Sequence, residues 1–230
     1  MKTVKKIILV IVLVFLAICT YFLISGYNLY KSVLKEIPLE EKISEIKNNE
    51  NYTSIDEVSP YFLEAIVAVE DHRFYTHEGV DLISTLKAIF TNVKNASYVT
   101  GGSSITQQLA KNMYFTQEKK MIRKVAEMFM AYNLEKNLSK NEILELYINT
   151  IYYGSGYYNV YSASKGYFNK LPSELTLDEA SLLAGIPNAP SVYSLDVNPD
   201  LAFQRQKQVI SAMKEYNYIS DDEYNNLIKN

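Results

Sequence analysis

Apolar positions along the chain fall into two regimes. From Ile7 to Ile24 the sequence reads IILVIVLVFLAICTYFLI, apolar or nearly so on every face. Such a run, extended through Ser25–Tyr30, is long enough to cross a hydrocarbon core of about 30 Å as a helix. Beyond it, apolar residues recur at intervals of three and four, the spacing of helices with one buried face. Phe62, Ala65, Ile66 and Val69 follow Ser59-Pro60, a helix start with Ser as N-cap and Pro in the first turn. Asp81 is placed to cap a second helix carrying Leu82, Leu86, Ile89 and Phe90. The polar stretch Asn92–Ser104, with Gly101-Gly102, reads as a mobile loop, and Ser103 or Ser104 as the start of a third helix.

A longer helix is expected over Glu118–Asn137, with Met121, Ile122, Val125, Met128, Phe129 and Tyr132 as its apolar face. Ser139 with Glu142, and Thr176 with Glu179, match the capping box, in which two side chains reciprocally satisfy free amides at a helix start. Gly185 before Pro187 ends the later helix, and Phe203–Tyr216 forms another. No run alternates in the manner of a strand. The chain therefore reads as mainly α. Its expected parts are a basic tail (1–6), an anchor (7–27), a charged, partly helical stalk (28–54) and one helical domain (55–230).

Charge sharpens the reading of the N-terminus. Lys2, Lys5 and Lys6 precede the apolar run, and no further charge occurs before Lys31. That asymmetry favours a cytoplasmic N-terminus and an external domain. A cleaved signal peptide is the competing reading, but no A-x-A-like site follows. A lipoprotein reading of Leu16–Cys19 fits poorly, since Ile18 is not small. The net charge of the 230 residues is −3, all three of those lysines lying in the tail, so a polyanion-binding role is disfavoured and no nucleic-acid partner is expected. One cysteine and two histidines exclude an intrachain disulfide and argue against a structural zinc site.

Four polar segments could carry chemistry. Glu70 leaves an apolar helix, AIVAVE, where desolvation would raise a carboxyl pKa and suit it to general-base work; a solvated helix end is the plain alternative. Gly101–Asn112, GGSSITQQLAKN, offers hydroxyls, amides, Lys111 and the free amides of a helix start, a cradle for sugar or phosphate or simply a capped helix. Lys119, Lys120, Arg123, Lys124 and Glu127 share a helix, with Arg123 and Glu127 one turn apart, as a cationic stripe or a surface ion pair. In Lys140–Gly156, Ile143, Leu144, Tyr147 and Ile148 read as core, while Glu145 and Asn149 either support the site or pair with each other. Neither His72 nor His77 has metal-ligand spacing, and no G-x-S-x-G elbow is present.

In this order, EDHRFYTHEGVD (70–81), GGSSITQQLAKN (101–112), RKVAE (123–127), KNEILELYINTIYYGSG (140–156) and ASLLAGIPNAPSVYSL (180–195) resemble the peptidoglycan glycosyltransferases, which polymerise lipid II. The resemblance covers roughly residues 55–215. Because the chain stops soon after the last motif, it resembles the monofunctional form. It implies a lysozyme-like helical domain on the outer face of the bacterial cytoplasmic membrane. The implied reaction is an inverting transfer of the growing lipid-diphosphate-linked glycan onto the GlcNAc 4-hydroxyl of lipid II.

Glu70 and Glu127 match the family's catalytic glutamates, Glu70 as general base and Glu127 in positioning or in the diphosphate environment. Lys111, Lys119, Arg123 and Lys124 match the diphosphate cations. Ser103, Gln107 and Gln108 match donor-site contacts, and Asp71, Arg73 and Phe74 complete the first motif. No cofactor is required by the resemblance, although a divalent cation (Mg2+ or Mn2+) is compatible with it, and no metal ligand is assigned. Implied partners are lipid II, the glycan strand and the membrane, with transpeptidases and division or elongation proteins as candidates.

The chain departs from the family pattern in Ser104 for threonine, Lys119 for arginine, and Asn159 and Asn169 for glycine. A lysozyme-like muramidase or lytic transglycosylase is the alternative enzyme class, and a non-catalytic scaffold the third reading.

Overall fold

A computed structural model describes residues 2–94, 101–115 and 120–228, and among these it contains helices and no strand. The first helix, α1 (Lys2–Glu36), runs unbroken through the apolar segment. It is long and apolar enough to cross a membrane, and none of its most apolar stretch is buried against the protein. Its last turns instead lie along the globular part. The stalk segment is helical through the end of α1 and through α2 (Leu39–Lys47), and Leu39 is buried in the core.

The globular part contains α3 (Pro60–Glu70), α4 (Leu82–Lys94), α5 (Ile105–Tyr114), α6 (Met121–Asn137), α7 (Lys140–Ile148), α8 (Val160–Phe168), α9 (Leu177–Gly185), α10 (Pro190–Tyr193), α11 (Pro199–Glu215) and α12 (Asp221–Ile228). Helices α3, α9 and α11 pack on one another, while α5 packs on α6 and α7. Phe62, Ile66, Ile105, Leu109, Met130, Leu134, Tyr147 and Tyr153 are fully buried between them.

Local signals set most helix ends. Ser139 Oγ, Thr176 Oγ1 and Ser104 Oγ each accept the amide three residues on, and Glu142, Glu179 and Gln107 return the bond. Asp81 Oδ1 accepts the Ser84 amide at 2.9 Å and so opens α4. Ser59 precedes α3 as expected but caps nothing with its side chain. Its hydroxyl donates to the Leu175 carbonyl at 2.8 Å, because a buried hydroxyl beside the chain entering α9 satisfies a tertiary acceptor there. Asn159 caps α8 through the Ser162 amide, and Asn169 ends it at φ +55°. A left-handed C-terminal residue is the position where asparagine most readily replaces glycine.

Two faces differ from the periodic reading. The apolar stripe of α6 is not its core face. Ala126, Met130, Ala131 and Leu134 point inward, whereas Met121 and Tyr132 are exposed. Val125 and Phe129 receive α1 instead: Phe129 stacks with Tyr30 and meets the edge of Tyr27, and Gly26 lies on Val125. α6 packs on α5 through one face and on α1 through another, so Val125 and Phe129 are covered by α1 and not by the core. On α4, Leu82, Ile83, Leu86 and Phe90 all face outward, 64–71% exposed, with Ala88 alone of the described apolar side chains buried. The expected loop at 92–104 is helical to Lys94, residues 95–100 lie outside the described residues, and Gly101–Ser104 lead into α5.

Candidate active site

Two helices converge on Glu70. It is the last residue of α3, whose buried face of Phe62, Ala65 and Ile66 fixes the helix and delivers the side chain to the end of a cleft. The next residue, Asp71, is itself buried. Its Oδ2 accepts the Ile105 amide at 3.0 Å, and its oxygens lie 2.9–3.0 Å from His77 Nε2. A carboxylate on the free amides of a helix start is favourable, and here it fastens the end of α3 to the start of α5. With the two helices locked, Gln108, one turn into α5, donates from Nε2 to Glu70 Oε2 at 2.8 Å, and its Oε1 accepts the Tyr147 hydroxyl. Glu70 Oε1 is buried without a hydrogen-bond partner among the described residues.

Burial pushes the Glu70 carboxyl above its ordinary value. The Gln108 bond, Arg205 and Lys111 pull it back down, and Asp71 raises it further. Desolvation dominates, and it makes this carboxylate a better proton acceptor than a solvated one.

The cleft at Glu70 holds about 500 Å³ and is lined by Gly101, Ser103, Gln108, Lys111, Asn188, Arg205 and others. A neighbouring cavity of about 450 Å³ shares Gln108, Lys111, Pro187 and Asn188 with it and continues to Tyr152 and Tyr158. Those two rings stand 4.7 Å apart.

Behind Lys111 stands a buried charge cluster. Glu127 is 1% exposed and is paired with Arg123, one turn back on α6, and with Lys124 Nζ at 3.1 Å. Lys124 Nζ also donates to Ser103 Oγ at 2.6 Å, so Ser103 joins the cluster to the cleft wall. Burial lowers the Lys111 pKa; Glu127 opposes that, Arg123 and Lys124 add to it, and Glu70 opposes it. Lys111 thus senses both the cluster and Glu70, and the cluster is no surface pair.

The structure therefore brings together Glu70, Gln108, Lys111, Ser103, Lys124, Arg123 and Glu127. The remaining first-motif residues stand elsewhere. Phe74 is fully buried beneath Lys140, and Arg73 is bound to Asp81 rather than facing the main cleft. Gln107 is buried and spent on the capping box with Ser104. Asp71 lines a narrower extension of about 190 Å³ with its carboxylate already engaged. Lys119 lies outside the described residues. Glu145 and Asn149 bind the 52–55 segment, through Tyr52, Thr53 and Ile55, and take no part in the cleft. Arg205 was not indicated by the motifs: an arginine on an amphipathic helix reads as surface, and only the fold turns it inward.

Neither candidate metal position fits a divalent cation. Asp71, His77 and Asp81 lie close enough to share an ion. However, Asp71 is occupied by His77 and the Ile105 amide, and Asp81 by Arg73 and the Ser84 amide. At Glu127 both oxygens are already bound to side-chain cations, which would repel an added one.

Comparison with known proteins shows the family. The family model described as Transglycosylase matches residues 39–214. The chain is 42% identical to penicillin-binding protein 1F of Bacillus subtilis over 184 residues, 80% of this chain and 26% of that protein. It is 43% identical to penicillin-binding protein 1A of Aquifex aeolicus over 75% of this chain and 24% of that one. With penicillin-binding protein 1A of Neisseria gonorrhoeae the identity is 46%, over 74% and 21%. The chain thus spans about a quarter of the length of these relatives. Among solved structures, penicillin-binding protein 1A of Haemophilus influenzae aligns with 77% of this chain and 17% of its own, at 24% identity and a TM-score of 0.46. Since the Transglycosylase model covers most of the chain, including all five motifs, the protein belongs to the transglycosylase family, the peptidoglycan glycosyltransferases whose motifs it carries.

Proposed function

We propose that the protein polymerises peptidoglycan glycan strands at the membrane surface. Its donor is the growing strand on a lipid diphosphate, and its acceptor is lipid II. The observation that carries this reading is the pairing, in one cleft, of a desolvated carboxylate with a bare oxygen and a set of fixed cations: Glu70 Oε1 on one side, Lys111 backed by Arg123 and Lys124 on the other.

The chemistry assigns the roles. The acceptor 4-hydroxyl oxygen bonds to the donor anomeric carbon while the carbon–oxygen bond to phosphate breaks. The hydroxyl proton passes to Glu70, and the bonding pair leaves on the diphosphate. Inversion follows from attack opposite the leaving group. Negative charge grows on a phosphate oxygen, where fixed cations in a partly dry site act most strongly. Glu127 holds those cations in place, and Gln108 turns Glu70. Asp71, Arg73, Phe74 and Gln107 serve the site through the structure that supports it. A hydrolase of the lysozyme type would need a carboxylic acid but not this cation set.

We further infer that α1 is a single-pass anchor with its N-terminus inside. The exposed α4 face of Leu82, Ile83, Leu86 and Phe90 then meets lipid. Lipid-bound substrates and enzyme are confined to one surface, which raises their effective concentration.

Labelled lipid II supplied to the full chain in detergent or bilayers tests this reading. Long uncross-linked glycan is expected, and Glu70→Gln should lose at least about 10²-fold in rate. Breakdown of finished glycan without polymerisation, or neither activity, would overturn it.

A further inference from the structure

The side chain of Arg205 enters the cleft from α11 by an unusual route. Its stem crosses α9 at Gly185, where an added Cβ would stand 2.9 Å from Arg205 Cγ and 3.4 Å from Val209 Cγ2. Gly185 is fully packed at the end of α9, so the absence of a side chain there opens the path. The side chain as a whole is 13% exposed, and at its far end Nη2 lies 4.0 Å from Glu70 Oε1, the oxygen that lacks a hydrogen-bond partner. Nη1 donates to Gln208 Oε1 at 2.7 Å, which orients the fork, and Nε is buried without a partner among the described residues. Two buried groups with unspent hydrogen-bonding capacity, brought to within 4 Å across two helices, are costly to fold unless they serve each other or a ligand.

Resting on the function proposed above, we propose that Arg205 is a positioning residue for Glu70. Carried over Gly185, its guanidinium faces Oε1 and keeps the carboxylate turned toward the acceptor side of the cleft, while Gln108 holds Oε2. The separation of 4.0 Å is longer than a hydrogen bond. It leaves Oε1 able to take a proton while still within the field of a full positive charge. The groups facing Glu70 are Asp71 beside it, Lys111 on α5, Tyr147 on α7 and Arg205 on α11, with neutral Gln108 bonded to it. Of the two cations, Arg205 is opposite the free oxygen and has the larger lowering influence.

The test is the titration of Glu70 itself. The full chain in detergent, labelled with 13C at the glutamate carboxyl, is followed by NMR, and the Glu70 signal is identified by its loss in Glu70→Gln. In Arg205→Gln the Glu70 midpoint should move up by about one pH unit, and Arg205→Lys should restore most of the shift. Gly185→Ala, which keeps the charge but crowds the stem, should move it in the same direction by less. In the lipid II assay, the acidic limb of kcat should move with the midpoint while KM changes little. An unmoved midpoint in Arg205→Gln would overturn the proposal, as would a rise in KM with the limb in place, which would make Arg205 a substrate contact. If the chain makes no glycan at all, the proposed function fails, yet the titration still decides the Arg205–Glu70 relation.

Discussion

Gln108 Nε2 donates to Glu70 Oε2 at 2.8 Å, a second link between the first two motifs beside the bond from the Ile105 amide to Asp71. The other Glu70 oxygen stays bare. Burial raises the Glu70 pKa more than this bond lowers it, so the fold disfavours the charged form. A carboxyl whose folded pKa lies above its unfolded value destabilises the native state at pH values above that folded pKa. Glu70→Gln, with synthesis cut by at least about 10²-fold, should therefore melt at the same temperature as the parent or higher at pH 8. Differential scanning calorimetry checks this, and a clear fall in Tm would show that the carboxylate is structural.

Glu127 and its cations should separate folding from turnover. Glu127→Gln leaves Arg123 and Lys124 facing each other without their shared anion. The cost should be about 2–3 kcal/mol, below the roughly 3–5 typical of a fully buried pair, because Lys124 is still partly wet. Arg123→Ala leaves Lys124 on Glu127, so its Tm should fall less while its rate falls by about 10²–10³. Melting curves compared with lipid II turnover read the difference; an Arg123→Ala protein with full turnover would remove its role at the diphosphate.

Asp81 should set the acid limit of the fold. Burial alone would raise its pKa, but hydrogen bonds from Ser84 and Arg73 and the Arg73 charge hold it at about 2, against 3.8 for the free side chain. A depressed carboxyl stabilises the fold above its unfolded pKa, and that contribution is lost as pH falls from about 4 to 2. Its size is roughly 2 kcal/mol. In Asp81→Asn, stability at pH 7 should drop by about that amount, and the acid transition between pH 4 and 2 should flatten. Urea unfolding at a series of pH values measures both.

Gly26 should report how the anchor is joined to the site. A Cβ there would stand 2.5 Å from Val125 Cγ1 and 3.2 Å from the Ala126 amide, on the same stretch of α6 that carries the cationic cluster. Gly26→Leu should push α1 off α6 and destabilise the domain by about 1–3 kcal/mol through overpacking. A cysteine pair bridging α1 and α6, placed outside this contact, should form its disulfide more slowly in the variant. Equal rates would mean that the two helices are not pressed together at this point.

Helix ends were legible in the sequence wherever they depend on a few neighbouring residues. The boxes at Ser139–Glu142 and Thr176–Glu179 satisfy amides three residues away, so nothing distant is needed to decide them. The membrane-length apolar run is likewise a property of composition alone. Glu70 and the cations were indicated by residue type and order.

The rest needed the fold. Phe74 and Gln107 sit inside motifs that look catalytic, yet one fills the core and the other caps α5, since a short segment cannot show which way its side chains turn. The apolar stripe of α6 looked like a core face until α1 took it, and the outward face of α4 has no protein partner among the described residues. Arg205 is more than 130 residues from Glu70 in the chain. Their approach depends on a missing side chain at Gly185, a third position that neither residue can signal. Local hydrogen bonding and apolar periodicity are written residue by residue, and so the sequence by itself determined the helices and the candidate chemistry. Tertiary packing alone decided which charges are stripped of water and set against each other, because desolvation comes from residues far apart in the chain.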